Sequence, residues 1–223
     1  MSDKAKQQVA VAVDNCIFTV SDGRLDVLLV QMKDAPLDLV WALPGGLIDD
    51  GETLDTAASR ILREQTGVTG VYLEQLYTFD DTHRDPRGRV VSVAYVSLVS
   101  TEGLGLATTA KYRAVQFWDC EGLPVELGFD HREIIAYAKK RLAAKIQYTN
   151  CMWSLMPSRF TLSQLQSAYE TVLSRSLDKR NFRKKVLSLG LVTASGEMSS
   201  GGRHRPAMLY RFESSEPELV EVF

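Results

Sequence analysis

Residues 45–68, "GGLIDDGETLDTAASRILREQTGV", join a glycine turn to a helix with charged residues at fixed spacing. Gly45 and Gly46 let the backbone approach a neighbouring group closely. The segment from Leu54 to about Thr66 is predicted to be helical, and Gly67 supplies its C-cap. Side chains three and four residues apart share one helix face. Carboxylates at that spacing can converge on Mg²⁺, a hard cation that prefers carboxylate oxygens. Such a cation neutralises a diphosphate and activates a water against it. Positions 61, 64 and 65 form this i, i+3, i+4 set, but they carry Ile, Glu and Gln. Isoleucine cannot coordinate Mg²⁺, and Gln65 offers only a neutral carbonyl oxygen.

Working outward, Val9–Val20 and Leu25–Met32 read as strands around the turn "SDGR". Val71–Phe79 and Val90–Val99 flank a polar turn, "DDTHRDPRGR", and Arg113–Asp119 is a further strand. "DHRE" (Asp130–Glu133) has capping-box spacing and predicts a helix over Ile134–Ile146. Strands alternating with helices indicate an α/β domain. The character then changes. "TLSQ" (Thr161–Gln164) is a second capping box for a helix ending near Ser174. Asp178 caps another helix, Lys179–Leu189, which Gly190 stops. "LVTAS" and "AMLYRF" are short strands around "GEMSSGGRHRP". This is the element order of a winged helix-turn-helix. Two domains are expected, 1–149 and 150–223, bridged by the Ile134–Ile146 helix.

The chain has 223 residues, 45% hydrophobic and 24% charged, as expected of folded domains. Cys16, Cys120 and Cys151 are odd in number and far apart, so buried thiols in a reducing cytoplasm are expected, not disulfides or zinc. Asp14 and Asn15 interrupt the N-terminal apolar run, which argues against a signal peptide. No stretch approaches the roughly 18 apolar residues of a membrane span. Charge is unevenly shared. Asn150–Phe212 has ten basic and three acidic residues, a net +7, so with −2 overall the rest carries −9. A basic module beside an acidic one suggests a polyanion partner; a solvated basic face is the alternative.

Phe182, Val186 and Leu189 have core spacing, which leaves Lys179, Arg180, Asn181, Arg183 and Lys184 for solvent or DNA. The second helix of a helix-turn-helix meets base edges with its N-terminal residues. Arg and Asn read bases, whereas Lys mostly meets phosphate. Arg203 and Arg205 sit on the wing, where they suit phosphates or the minor groove. Alone, the helix or the hairpin could be ordinary charged surface; together and in order they favour DNA.

The 45–68 stretch resembles the Nudix signature, G-x5-E-x7-R-E-U-x-E-E-x-G-U, with Gly46, Glu52, Arg60, Leu62, Glu64, Gly67 and Val68 on the pattern. Ile61 and Gln65 stand where catalytic relatives carry metal-binding glutamates. A carboxylate from Asp80, Asp81 or Asp130 would not rebuild that geometry. The resemblance implies a Nudix α/β/α sandwich with a mixed sheet, with Glu52 and Arg60 pairing to hold the loop on the helix. Over nearly all of residues 7–212, including "FDHREII" and "RPAMLYRF", the chain is similar to the Nudix-related transcriptional regulators of NAD metabolism (the NrtR family). That resemblance implies a homodimeric cytoplasmic repressor of NAD biosynthesis or salvage genes, released from operator DNA by ADP-ribose. It implies no catalytic residue, metal or required cofactor. The candidate effector residues are Gly45, Gly46, Arg60, Glu64, Arg84, Arg87, Arg89, Phe129 and His131. Arginines 84, 87 and 89 suit a diphosphate through charge-assisted forks, though that turn also reads as a solvated hairpin tip. His131 reads equally as an ordinary first-turn helix residue. A working Nudix hydrolase with a regulatory winged helix is the alternative function, and a protein-interaction adaptor a third.

Overall fold

The computed structural model describes residues 7–34, 36–67, 69–200 and 206–222. The first half is a seven-stranded mixed sheet. Its strands are β1 (Ala10–Ser21), β2 (Arg24–Met32), β3 (Trp41–Ala42), β4 (Gly45–Leu47), β5 (Tyr72–Phe79), β6 (Val90–Leu98) and β7 (Tyr112–Asp119). The main path runs β3-β2-β1-β6-β5, with β4 added to β1 and β7 to β2. β1 lies parallel to β6, from Ala10↔Val90 to Phe18↔Leu98, and the other pairs are antiparallel. A central strand is covered on both faces and so reads as a continuous apolar run. β1 obeys this except at Asp14, Asn15 and Thr19, all buried, and at its terminal Ser21. Asn15 is satisfied by the Ala58 carbonyl and the Ser97 hydroxyl.

Helix α1 (Leu54–Thr66) covers one face of the sheet. Thr53 caps it by accepting from the Thr56 N–H, and Gly67, at φ 71°, closes it as expected. Its Ala57, Ala58 and Ile61 pack on Val13, Val93 and Tyr95. Helix α2 (His131–Lys145) covers the opposite face through Ile134, Ile135, Ala138 and Leu142. The layers are therefore α/β/α, as expected. α2, however, begins at His131, three residues early, and the "DHRE" capping box is not made. Asp130 forms no side-chain bond to the helix it precedes. Its carboxylate faces Arg84. Strands β3 and β4, too short to show a periodicity, were not expected.

The second half contains α3 (Leu162–Leu173), α4 (Lys179–Ser188), β8 (Val192–Met198) and β9 (Met208–Phe212). The "TLSQ" box is complete, with Thr161 and Gln164 bonding reciprocally. Asp178 caps α4 by accepting from the Asn181 N–H at 2.8 Å. β8 and β9 form a hairpin, and Phe160 exchanges two backbone bonds with Tyr210. Helix, helix and hairpin make the winged helix-turn-helix. Phe182 and Val186 are buried and Leu189 is half-buried. Arg203 and Arg205 lie outside the described residues.

The two halves share one apolar core, which runs from Phe18 and Leu29 through α2 to Leu165, Tyr169 and Phe182. A 3₁₀ turn, Cys151–Ser154, adds a second bridge that the sequence did not suggest. There the Ser154 hydroxyl accepts from the Tyr72 N–H and donates to the Leu98 carbonyl. The tail returns to the same junction, where the Val220 and Val222 N–H groups donate to Tyr148 and Gln147. All three cysteines are buried free thiols. Among the described residues no helix is long and apolar enough to cross a membrane.

Candidate functional site

A cavity of about 520 Å³ opens beside β4, within the ~300–1,000 Å³ range of small-molecule sites. Gly45 and Gly46 line it because β4 pairs with β1, setting Gly45 opposite Asp14. A Cβ at Gly45 would lie 2.2 Å from Asp14 Oδ1 and 2.8 Å from the Val13 carbonyl, so no side chain fits there. The Gly45 carbonyl accepts from Lys111 Nζ at 2.6 Å and from the Tyr112 hydroxyl at 2.9 Å.

The floor is an ionic cluster around Arg84, whose side chain is only 3% exposed. Its Nε and Nη2 donate to the two Asp130 oxygens at 3.0 and 2.7 Å, and Nη2 also donates to Asp14 Oδ2 at 3.0 Å. Asp14 Oδ2 accepts from the Ser92 hydroxyl at 2.6 Å. It also lies 3.4 Å from His131 Nε2. His131 Nδ1 accepts from the Leu43 N–H at 2.8 Å, so the ring proton resides on Nε2, toward Asp14. Burial pushes the Asp14 carboxyl up, but His131, Ser92 and Arg84 together outweigh it and hold the group well below the usual carboxylate range.

At the rim Arg87 forks onto Asp85, at 2.9 and 2.7 Å, with its guanidinium 5.3 Å from the Phe129 ring centroid. Phe129 packs on His131 with centroids 4.9 Å apart. Arg89 donates to the Asp80 and Asp81 carbonyls, which ties down the β5–β6 turn.

The structure thus brings Gly45, Gly46, Arg84, Arg87, Arg89, Phe129 and His131 to one cavity. Arg60 and Glu64 do not line it. Arg60 forks onto Glu52 at 2.8 and 2.9 Å, pinning the loop to α1, and Glu64 stands beside it at 3.8 Å. The Arg60 fork and the Asp49 N–H bring Glu52 down to about 2. Arg84 is not the free diphosphate fork that the sequence suggested, because two carboxylates already hold it. Sequence reasoning missed Asp14, Asp85, Lys111 and Tyr112. Asp14 had a signal, being an acid within an apolar strand; Lys111 and Tyr112 had none.

The α1 positions that decide the chemistry are occupied by core residues. Ile61 is 4% exposed and Gln65 1% exposed. The Gln65 side-chain oxygen, Oε1, is buried with no hydrogen-bond partner among the described residues.

On α4, Lys179, Arg180, Asn181 and Lys184 are exposed. Arg183 is half-buried, and its Nη2 donates to the Ser163 hydroxyl at 3.0 Å, bracing α4 against the start of α3. Of the five α4 residues expected to face solvent or DNA, Arg183 is thus the one engaged by a neighbouring helix.

An α/β/α sandwich with a glycine-lined cavity, continuous with a winged helix-turn-helix, defines a small-molecule pocket joined to a recognition module. The NUDIX domain model matches residues 9–138 and the NrtR DNA-binding winged helix domain model matches residues 152–212. The chain belongs to the NUDIX family and carries an NrtR-type winged helix. It is 37% identical over 204 residues, 91% of this chain and 81% of the relative, to the ADPR responsive transcriptional repressor NtrR of Acinetobacter baylyi. It is 36% identical over 126 residues to the ADP-ribose pyrophosphatase of Methanocaldococcus jannaschii, 56% of this chain and 70% of that one. Among solved structures, Shewanella oneidensis NrtR complexed with a 27mer DNA superposes with a TM-score of 0.81 at 34% identity, covering 91% of this chain and 93% of that one. The NUDIX domain of the same protein complexed with ADP ribose gives a TM-score of 0.55 at 36% identity, covering 64% and 94%.

Proposed function

We propose that this chain is a cytoplasmic, homodimeric DNA-binding repressor of NAD biosynthesis or salvage genes, released from its operator by ADP-ribose. The observation that carries this reading is the pairing of an intact cavity with a helix face whose metal-ligand positions are packed into the core. The effector domain spans 1–149 and the DNA-binding domain 150–223. ADP-ribose occupies the cavity beside Gly45 and Gly46, with Arg87 and Phe129 at its rim and no metal or further cofactor required. A gel-shift on the DNA upstream of the protein's own gene tests the reading: a retarded band should form and be lost on adding ADP-ribose. A band indifferent to ADP-ribose would refute it.

The similarity to an ADP-ribose pyrophosphatase favours a second reading, hydrolysis of the same ligand. With Ile61 and Gln65 in place, no AMP should form from ADP-ribose with Mg²⁺ or Mn²⁺. Turnover near 1 s⁻¹ or faster, within the ordinary enzymatic range, would establish the hydrolase.

On the DNA face, Arg180 lies in the first turn of α4 and is the candidate base reader, whereas Lys184 meets phosphate. Arg180→Ala should cost about 1–3 kcal/mol and relax preference at one operator position. Lys184→Ala should weaken all sequences alike and reduce the salt slope by about 1. Binding isotherms across salt and operator variants separate the two effects; identical behaviour would refute this division of roles.

A further inference from the structure

Asp130 and Glu133 have the spacing of a capping box, but the box stands open. The side chains of Thr53, Thr161 and Asp178 cap α1, α3 and α4, whereas Asp130 makes no such bond to α2. Both Asp130 oxygens instead accept from Arg84. The preceding residue, Phe129, sits at φ 58°, a conformation that is unfavourable for a bulky side chain and persists only where surroundings impose it. An unused cap and a strained turn therefore meet where the cavity floor joins α2. The other end of the lever is also visible: Ile134, Ala138 and Leu142 of α2 share their core with Leu165 and Tyr169 of α3.

We infer that Arg84 and Asp130 couple the cavity to the winged helix. This rests on the repressor reading above. A diphosphate entering the cavity competes with carboxylates for the Arg84 guanidinium, since both are anions suited to the same fork. Of the two carboxylates, Asp14 is also held by Ser92 and faces His131. Asp130 is the one with an alternative partner, the N-terminus of its own helix. Once displaced, it caps α2, relieves the Phe129 turn and shifts α2 against α3. The ligand then favours one of two arrangements of a single helix, which is what an effector must do to alter DNA affinity.

The test uses the full chain. Calorimetric titration of ADP-ribose, with and without operator DNA, gives the coupling factor for the parent, Asp130→Asn and Asp130→Ala. Asparagine can cap a helix but does not hold Arg84 by charge. Asp130→Asn should therefore bind ADP-ribose tighter by roughly ten-fold, a typical coupling magnitude, and bind operator more weakly without ligand. Asp130→Ala frees Arg84 but cannot cap, so ADP-ribose should bind tighter while the coupling factor falls toward one. Amide exchange gives a second readout. ADP-ribose should slow exchange at Arg132 in the parent and leave it unchanged in Asp130→Ala, the Glu133 N–H being already bonded to the Asp130 carbonyl. Parent-like coupling and exchange in Asp130→Ala would overturn the inference alone. Absence of coupling in the parent would overturn the repressor reading and this inference together.

Discussion

Arg84→Ala should lower the stability of the folded chain by about 3–5 kcal/mol at neutral pH, the range for removing one partner of a buried ion pair. Arg84 is the cation between Asp14 and Asp130, and its side chain is almost wholly buried. Its loss leaves the two carboxylates facing each other without the guanidinium. The deficit should depend on pH in a definite sense. In the parent, the Asp14 carboxyl is held well below the usual range even though burial opposes this, with His131, Ser92 and Arg84 responsible. A depressed carboxyl contributes stability that is present above its unfolded pKa, near 3.8, and lost as pH falls toward the folded value. The variant lacks the Arg84 share of that contribution. Its deficit should therefore be largest near neutrality and narrow on acidification, because Asp14 takes up a proton in the folded variant at a higher pH than in the folded parent. Urea unfolding of parent and variant from neutral pH downward measures the difference directly. A deficit below about 1 kcal/mol, or one that widens on acidification, would show that Arg84 is not the charge holding this floor together.

The elements with strong local chemistry were legible in the sequence. Gly67 closes α1, Thr161 and Gln164 close a reciprocal box, and Asp178 caps α4. Each signal lies within a few residues of the structure it produces. What escaped depends on distance along the chain. Asp130 has the same local signature as Thr161, but Arg84, 46 residues away, captures its carboxylate; a charged fork outcompetes a cap when the fold brings it near. Arg183 has the appearance of a DNA-facing arginine until α3 presents Ser163 to it. Lys111 and Tyr112 join the site only because β7 pairs with β2 and delivers them to the Gly45 carbonyl. The cavity was thus half-readable. Its glycines and its arginine turn carry their own signals, whereas its acidic floor and the engagement of its arginines arise from tertiary contacts.

Ile61→Glu should be similarly costly, by about 3 kcal/mol or more, because it replaces a packed methyl cluster with a charge. Ile61 shares an apolar cluster with Val13, Ala57, Ala58, Val93 and Tyr95 between α1 and the sheet. Burial would raise the pKa of the new carboxyl, so the folded state would bind its proton more tightly than the unfolded chain. The sign follows: the ionic part of the penalty is greatest above the raised pKa and disappears below the unfolded value near 4.3. Mg²⁺ should not rescue this single variant, since the introduced carboxylate and that of Glu64 make only a pair and do not rebuild the trio. Adding Gln65→Glu completes the i, i+3, i+4 set on one helix face. The double variant should be less stable still without metal, yet regain stability as Mg²⁺ is added. A site filled at 100 times its Kd returns about 2.7 kcal/mol. Thermal unfolding of the parent and both variants, with and without Mg²⁺, tests this. A parent-like single variant would mean that position 61 is not core. A double variant blind to Mg²⁺ would mean that this chain has lost the shape of the metal site along with its ligands.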